Sequence, residues 1–184
     1  MLPYIVAGVA GVIILWGAIT FNVLVRHRNL VREAWSGIDV QLKRRANLIP
    51  NLVETVKGYS AHERRTLEEV THARTAAESA GAVREREAGE NALTQALKRL
   101  VALSEAYPDL KADQTFLSLH QELIEVEDHV QYARRYYNGT VRDYNIRVES
   151  FPSNMVAGVF GFAREEFFEL ETATERGAPK VEMG

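Results

Sequence analysis

From Leu2 to Val25 the chain carries no charged side chain, and the run LPYIVAGVAGVIILWGAITFNVLV is 24 residues long. That matches the roughly 20 apolar residues needed to span a bilayer as helix. A helix buried in a soluble core would still show a polar face, which this run lacks. A cleaved signal peptide would need a basic leader and a small-x-small cleavage site. No Lys or Arg precedes the run, and Gly17-Ala18-Ile19-Thr20 lacks the required form. Residues 1–25 are therefore predicted to be a retained transmembrane anchor. The chain after them is about one domain long, by the usual ~100–150 residues.

Arg26, Arg28 and Arg32 follow the run directly. The positive-inside rule then predicts an outer N-terminus and a cytoplasmic domain. The same three arginines are expected at the membrane surface, where each gains about 1 kcal/mol beside anionic lipid. The lipid bilayer is thus the first predicted partner. There is no cysteine, which excludes disulfides, thiolate nucleophiles and Cys-based metal sites. A net charge of −3 gives no pull toward nucleic acid, and none is predicted as partner.

Beyond the anchor, Val31, Trp35, Ile38, Leu42, Ile49, Leu52, Val56 and Tyr59 follow the alternating three-and-four spacing of one helix face. Only Arg45 interrupts it, and Trp35 reads as a core residue. The face keeps its phase through Pro50, which argues for a kinked continuous helix; a tight turn with Pro50 opening a new helix is the alternative. The helical pattern is predicted to run on through Leu67 and Val70 to Ala77 and to end at Gly81. A second stripe, Leu93, Leu97, Leu100, Leu103 and Tyr107, stops at Pro108.

The most regular feature is Phe116, Leu123, Val130, Tyr137, Tyr144 and Phe151, all seven apart. They predict a helix of about 50 Å, with Asp113 as N-cap and Pro152 just past its end. After it, Phe160, Phe162, Phe167, Phe168 and Leu170 are expected to dock a short helix onto the bundle or the membrane surface. No strand-length alternating run is present. The predicted class is all-α: a transmembrane helix continuing into a bundle of three to four long antiparallel helices at 26–171, then a flexible polar tail at 172–184.

Tests for chemistry return little. Glu69-Val70-Thr71-His72 has the E-x-x-H spacing of di-iron bundles, but no second copy exists. His62-Glu63 lacks the second histidine of a zinc-protease motif. No catalytic, cofactor or metal site is predicted. Asn22 and Asn29 are seven apart near the membrane, and Asn138 and Asn145, each following a tyrosine, are seven apart near the end of the long helix. If their helices pack side by side, these amides are expected to bond across and fix register; exposed asparagines are the plain alternative. Arg26 to Arg45 reads as a solvated basic face.

The stretches FNVLVRHRNLVREAWSGIDVQLKRRANLIPNLVETVKGYSAHERRTLEEVTHAR (21–74), AYPDLKADQTFLSLHQELIEVEDHVQYARRYYNGTVRDYN (106–145) and SFPSNMVAGVFGF (150–162) closely resemble the LemA family of membrane-anchored bacterial proteins. Asn47 stands where the family commonly has Asp, and Phe21 where a Tyr is usual. The first departure weakens any catalytic reading of a carboxylate there. The resemblance implies a short outer N-terminus, one span and a helical domain inside the bacterial inner membrane. It implies no enzyme. Some members are associated with building magnetosome membranes, which by analogy favours a membrane-organising role.

The leading expectation is a membrane-tethered helical scaffold that self-assembles as a homo-oligomer and organises membrane or recruits partners. The second is a signalling sensor or adaptor that binds a protein partner. A metal-dependent enzyme resting on Glu69 and His72 is the third.

Overall fold

A computed structural model describes residues 1–60 and 63–169. Among them are six helices and no strand: α1 Leu2–Tyr59, α2 Arg64–Ser79, α3 Val83–Ser104, α4 Pro108–Lys111, α5 Gln114–Glu149 and α6 Ser153–Phe160. The class is all-α, as predicted. The polar tail at 172–184, Leu170 and His62 lie outside the described residues. The described residues divide into two compact units, 1–41 with 130–167 and 42–60 and 63–129 with 168–169.

α1 is one helix of 58 residues with Pro50 inside it, so the tight-turn alternative does not hold. Proline has no N–H, and in a helix its ring also crowds the carbonyl four residues back. That carbonyl belongs to Ala46, which is buried. Arg74, from α2, supplies the missing donor: its Nε donates to the Ala46 carbonyl at 2.9 Å. The Pro50 ring itself is exposed.

The predicted continuation of α1 to Ala77 is wrong. The helix stops at Tyr59 and α2 starts at Arg64. Val53 and Lys57 of α1 share a surface groove with Arg64, Leu67 and Thr71 of α2. With Arg74 reaching Ala46, this means that α2 runs back antiparallel to α1. Periodicity could not reveal the reversal, because both helices turn an apolar face to the same core. The local stop signals are Gly58, a poor helix former, and Ser60, whose hydroxyl donates to the Val56 carbonyl at 2.9 Å.

In this second unit Ile49, Leu52, Val56, Leu67, Val70, Leu93, Leu97, Leu100, Leu110, Phe116 and Leu123 form one core. α3 approaches α2 so closely that a Cβ on Gly89 would stand 2.8 Å from the Ala77 Cα. Asp113 caps α5 as predicted: its Oδ1 accepts from the Phe116 amide at 2.8 Å, and its Oδ2 accepts from the Tyr59 hydroxyl at 2.9 Å. These bonds hold the Asp113 carboxyl below its ordinary range, the Phe116 amide being the larger cause.

The solvated-face reading of the basic stretch fails at Arg45. Leu24, Val31, Ile38, Arg45 and Leu52 stand seven apart on α1, so the arginine occupies a core position and is 2% exposed. It survives there because its charge is matched. Nη1 meets Glu90 at 3.3 Å, and Nη2 meets Glu127 at 3.5 Å and donates to the Thr94 hydroxyl at 2.8 Å. Burial pushes the Glu90 carboxyl above its ordinary value, while Arg45 and then Arg86 pull against that rise. Removing one partner of a buried ion pair costs about 3–5 kcal/mol, because the other charge is left uncompensated.

Two outcomes are expected in urea unfolding of the detergent-solubilised chain. Arg45→Met should lose about 3–5 kcal/mol. The folded chain holds the Glu90 proton more tightly than the unfolded chain, so stability from this group is fully present below about pH 4.5 and is lost as pH rises through the higher folded value. Glu90→Gln should flatten that slope; an unchanged slope would locate the effect elsewhere. A double-mutant cycle checks the repair at Pro50. Arg74→Met should cost about 1–3 kcal/mol beside Pro50, where it orphans a buried carbonyl, and clearly less in the Pro50→Ala background, where residue 50 restores a donor.

Candidate functional site at the membrane-proximal clamp

The first unit holds most of the residues singled out from the sequence. Val130, Tyr137, Val141 and Tyr144 of α5 are buried there with Leu24, Val31, Ala34 and Ile38 of α1. The stripe holds as predicted from Phe116 to Tyr144, but Phe151 is 80% exposed because α5 ends at Glu149. Trp35 is half-buried, and its ring stands 5.3 Å from that of Tyr137.

Of the expected short helix, α6 carries Phe160 only, and from Phe162 to Glu169 the chain has no regular secondary structure. Buried side chains of α5 hold this segment. Asn145 donates through Nδ2 to the Glu165 carbonyl and accepts at Oδ1 from the Glu165 amide, both at 2.9 Å. One amide thus satisfies both backbone groups of one residue, as a neighbouring strand would. The Tyr137 hydroxyl donates to the Glu166 carbonyl at 2.8 Å.

Burial, then the charges of Glu165 and Glu166, push the Tyr137 hydroxyl up to about 12. It therefore stays protonated, as its donor role requires. The buried Tyr144 hydroxyl is also raised, chiefly by burial and then by Glu165, while Arg28 and Arg32 oppose the rise.

The asparagine expectation needs correction. Asn22 and Asn29 are exposed, and Asn22 donates to the Ala18 carbonyl of its own helix at 2.8 Å. Asn138 is half-buried, and Asn145 is buried. The partner of Asn145 is a backbone segment rather than an amide on a neighbouring helix. Tyr137 was visible in the sequence only as a stripe residue. The usable signal was chemical, since a buried tyrosine hydroxyl must find a partner.

Of the arginines expected at a membrane surface, Arg26 and Arg32 are exposed. Arg28 is half-buried, its guanidinium 5.0 Å from the centre of the Phe162 ring. Phe162 also meets Phe21 at 5.6 Å, and Phe160 meets Phe21 at 4.7 Å. The arrangement is suited to holding a chain segment against two helices; it pairs no nucleophile with a base. In the second unit, Glu69 bonds Arg65 at 3.2 Å and Arg99 at 3.3 Å, using one oxygen for each, and His72 is exposed. Among the described residues no three His, Asp or Glu gather where they could hold a metal.

A sequence profile of the LemA family matches residues 34–183, which include the whole clamp from Trp35 to Glu166. The chain belongs to the LemA family. This LemA-family chain is similar to Magnetosome protein MamQ 2 of Paramagnetospirillum magneticum, 26% identical over 179 residues, covering 83% of this chain and 66% of that protein. Magnetosome protein MamQ of Magnetospirillum gryphiswaldense is 24% identical with the same coverage. Protein LemA of Metamycoplasma hominis is 26% identical over 137 residues, covering 74% of this chain and 63% of that protein. The chain thus spans just under two thirds of the length of these curated relatives.

Asn145→Asp tests the clamp. The variant keeps an acceptor for the Glu165 amide but loses the donor to its carbonyl and adds a charge beside Glu165. It should cost about 1–3 kcal/mol and speed hydrogen exchange at the Glu165 amide. Unchanged exchange there would show that the segment is held by something else.

Proposed function

We propose that this LemA-family chain is a single-pass, membrane-anchored helical scaffold. It assembles with copies of itself and organises membrane or recruits protein partners at the cytoplasmic face, without performing catalysis. The observation that carries this reading is the state of α1. Among the described residues it is the one helix long and apolar enough to cross a membrane. Its first part has no protein cover, with Val12 68% and Ile14 71% exposed. Such a surface is stable only when lipid covers it. The same helix then continues into the helical domain without a linker.

The proposed orientation is supported by Arg26 and Arg32, exposed just past the run, which favour the cytoplasmic side of the bacterial inner membrane. Self-assembly is supported by the physics of anchoring: copies confined to a plane meet at raised effective concentration, so weak lateral contacts suffice. Relatives named as magnetosome proteins are consistent with a role at a membrane.

Mass measurement by light scattering in mild detergent tests the scaffold. Particles containing several copies are expected, with mass rising with concentration. A strictly monomeric particle at high concentration would remove the self-assembly part of the proposal and leave an anchored adaptor.

A further inference from the structure

We propose that α6 is a second membrane-inserting element: a short wedge beside α1 that seats its outer face, Phe151, Met155, Val159 and Phe160, among lipid acyl chains. The proposal rests on the reading of α1 as a membrane span.

From Phe151 to Ala163 the chain carries no charge, while Arg147, Glu149 and Arg164 flank the segment. The inner side of α6 is packed, with Val156 and Ala157 buried. Its outer side is mostly apolar as well: Met155 is 62% exposed, Val159 79% and Phe160 59%, with Phe151 at 80% just before the helix, while the exposed Asn154 lies in its first turn. A surface helix in water turns polar residues outward, and one that is apolar all round belongs inside protein or lipid.

The position of α6 decides between those two. Pro152 and Ser153, at its start, line a small cavity with Trp16, Thr20 and Val23 of α1. Phe160, at its end, packs its ring on Phe21. Both ends therefore meet α1 within the last turns of its uncharged run. Where those turns enter the bilayer, α6 lies at the same depth, and its exposed face continues the lipid-facing surface of α1.

The backbone of the segment is prepared for such a place. In lipid, unpaired N–H and C=O groups cost several kcal/mol each, so every one needs a partner. At the start of α6 the Asn154 amide donates to the Ser150 carbonyl at 2.8 Å, and the Ser153 hydroxyl lies 2.6 Å from the Arg147 carbonyl. At its end Gly161 takes the left-handed conformation, φ 67°, which lets the Phe162 amide return to the Ala157 carbonyl at 2.9 Å. Arg164, paired with Glu149 at 2.9 Å, stands just outside the uncharged stretch, where its head stays in water.

The absence of cysteine makes the test direct. Val159→Cys, Ile13→Cys and Tyr132→Cys variants of the full chain, each carrying one environment-sensitive fluorophore, are placed in phosphatidylcholine–phosphatidylglycerol vesicles. Quenching by doxyl-labelled lipid is compared with quenching by aqueous iodide. The Val159 probe is expected to follow Ile13, strongly quenched by lipid and severalfold less by iodide than Tyr132. A Val159 probe that follows Tyr132 while Ile13 remains lipid-quenched overturns the wedge and leaves the span standing. Iodide access at both Val159 and Ile13 overturns the two together. A Val159 probe shielded from lipid and iodide alike puts this face against protein, such as a second copy, and also overturns the proposal.

Discussion

A helix of 58 residues has to be kept out of water along one seam, and everything else in this protein follows from how that is done. Over the first stretch no protein covers the helix, and its apolar residues are exposed all round. Further along, the seam narrows to one face that neighbouring helices bury. Neither part is stable alone, because long helices hold together through packing of an apolar face rather than through propensity. The seam also carries two defects, and each is repaired locally. Arg45 puts a charge in a core position and is matched by Glu90, Glu127 and Thr94. Pro50 removes a helix donor, and Arg74 replaces it at the Ala46 carbonyl. Polar groups of this kind permit fewer alternative packings than apolar ones, since a slip of one turn would strand each of them. We read them as devices that set register.

The clamp solves a different problem. The segment from Phe162 to Glu169 has no helix to satisfy its backbone, and of its residues only Phe162 and Phe168 are buried, so side chains of the neighbouring helix must hold it in place. Asn145 and Tyr137 supply them from α5, with hydrogen bonds of 2.8 to 2.9 Å. The Tyr137 ring in turn meets that of Trp35 of α1 at a tilt of 58°, so the two helices and the returning chain meet around one ring. This is structural chemistry. Its hydroxyl is kept protonated by burial, and the nearest carboxylates, Glu165 and Glu166, contribute backbone atoms to the clamp.

Much of the fold was legible in the residues. The uncharged run, the stripe from Phe116 to Tyr144 and the Asp113 cap each follow from a local rule and are found where it puts them, whereas α3 ends at Ser104 and Pro108, expected to stop that stripe, instead opens α4. The misses share a cause. Periodicity reports which face of a helix is apolar, but it is blind to chain direction, so the reversal between Tyr59 and Arg64 was invisible. It also counts Arg45 as an interruption, because a charge is tolerable in a core only if acids arrive from elsewhere, and Glu90 and Glu127 are 45 and 82 residues away. The heptad pairing of Asn138 with Asn145 suggested bonds between helices, whereas the partner is a backbone that leaves no mark in composition.

The residues by themselves determined that the chain folds as helices after one long apolar run, because hydrophobic periodicity and the absence of charge are properties of the local sequence. Tertiary structure alone decided which polar groups are buried and by what they are satisfied: Arg45 by two distant acids, the Ala46 carbonyl by Arg74, and the Glu165 backbone by Asn145. A charge or a bare carbonyl is stable in a core only when a particular partner stands within about 3 Å, and nearness in space between residues far apart in the chain is what folding creates.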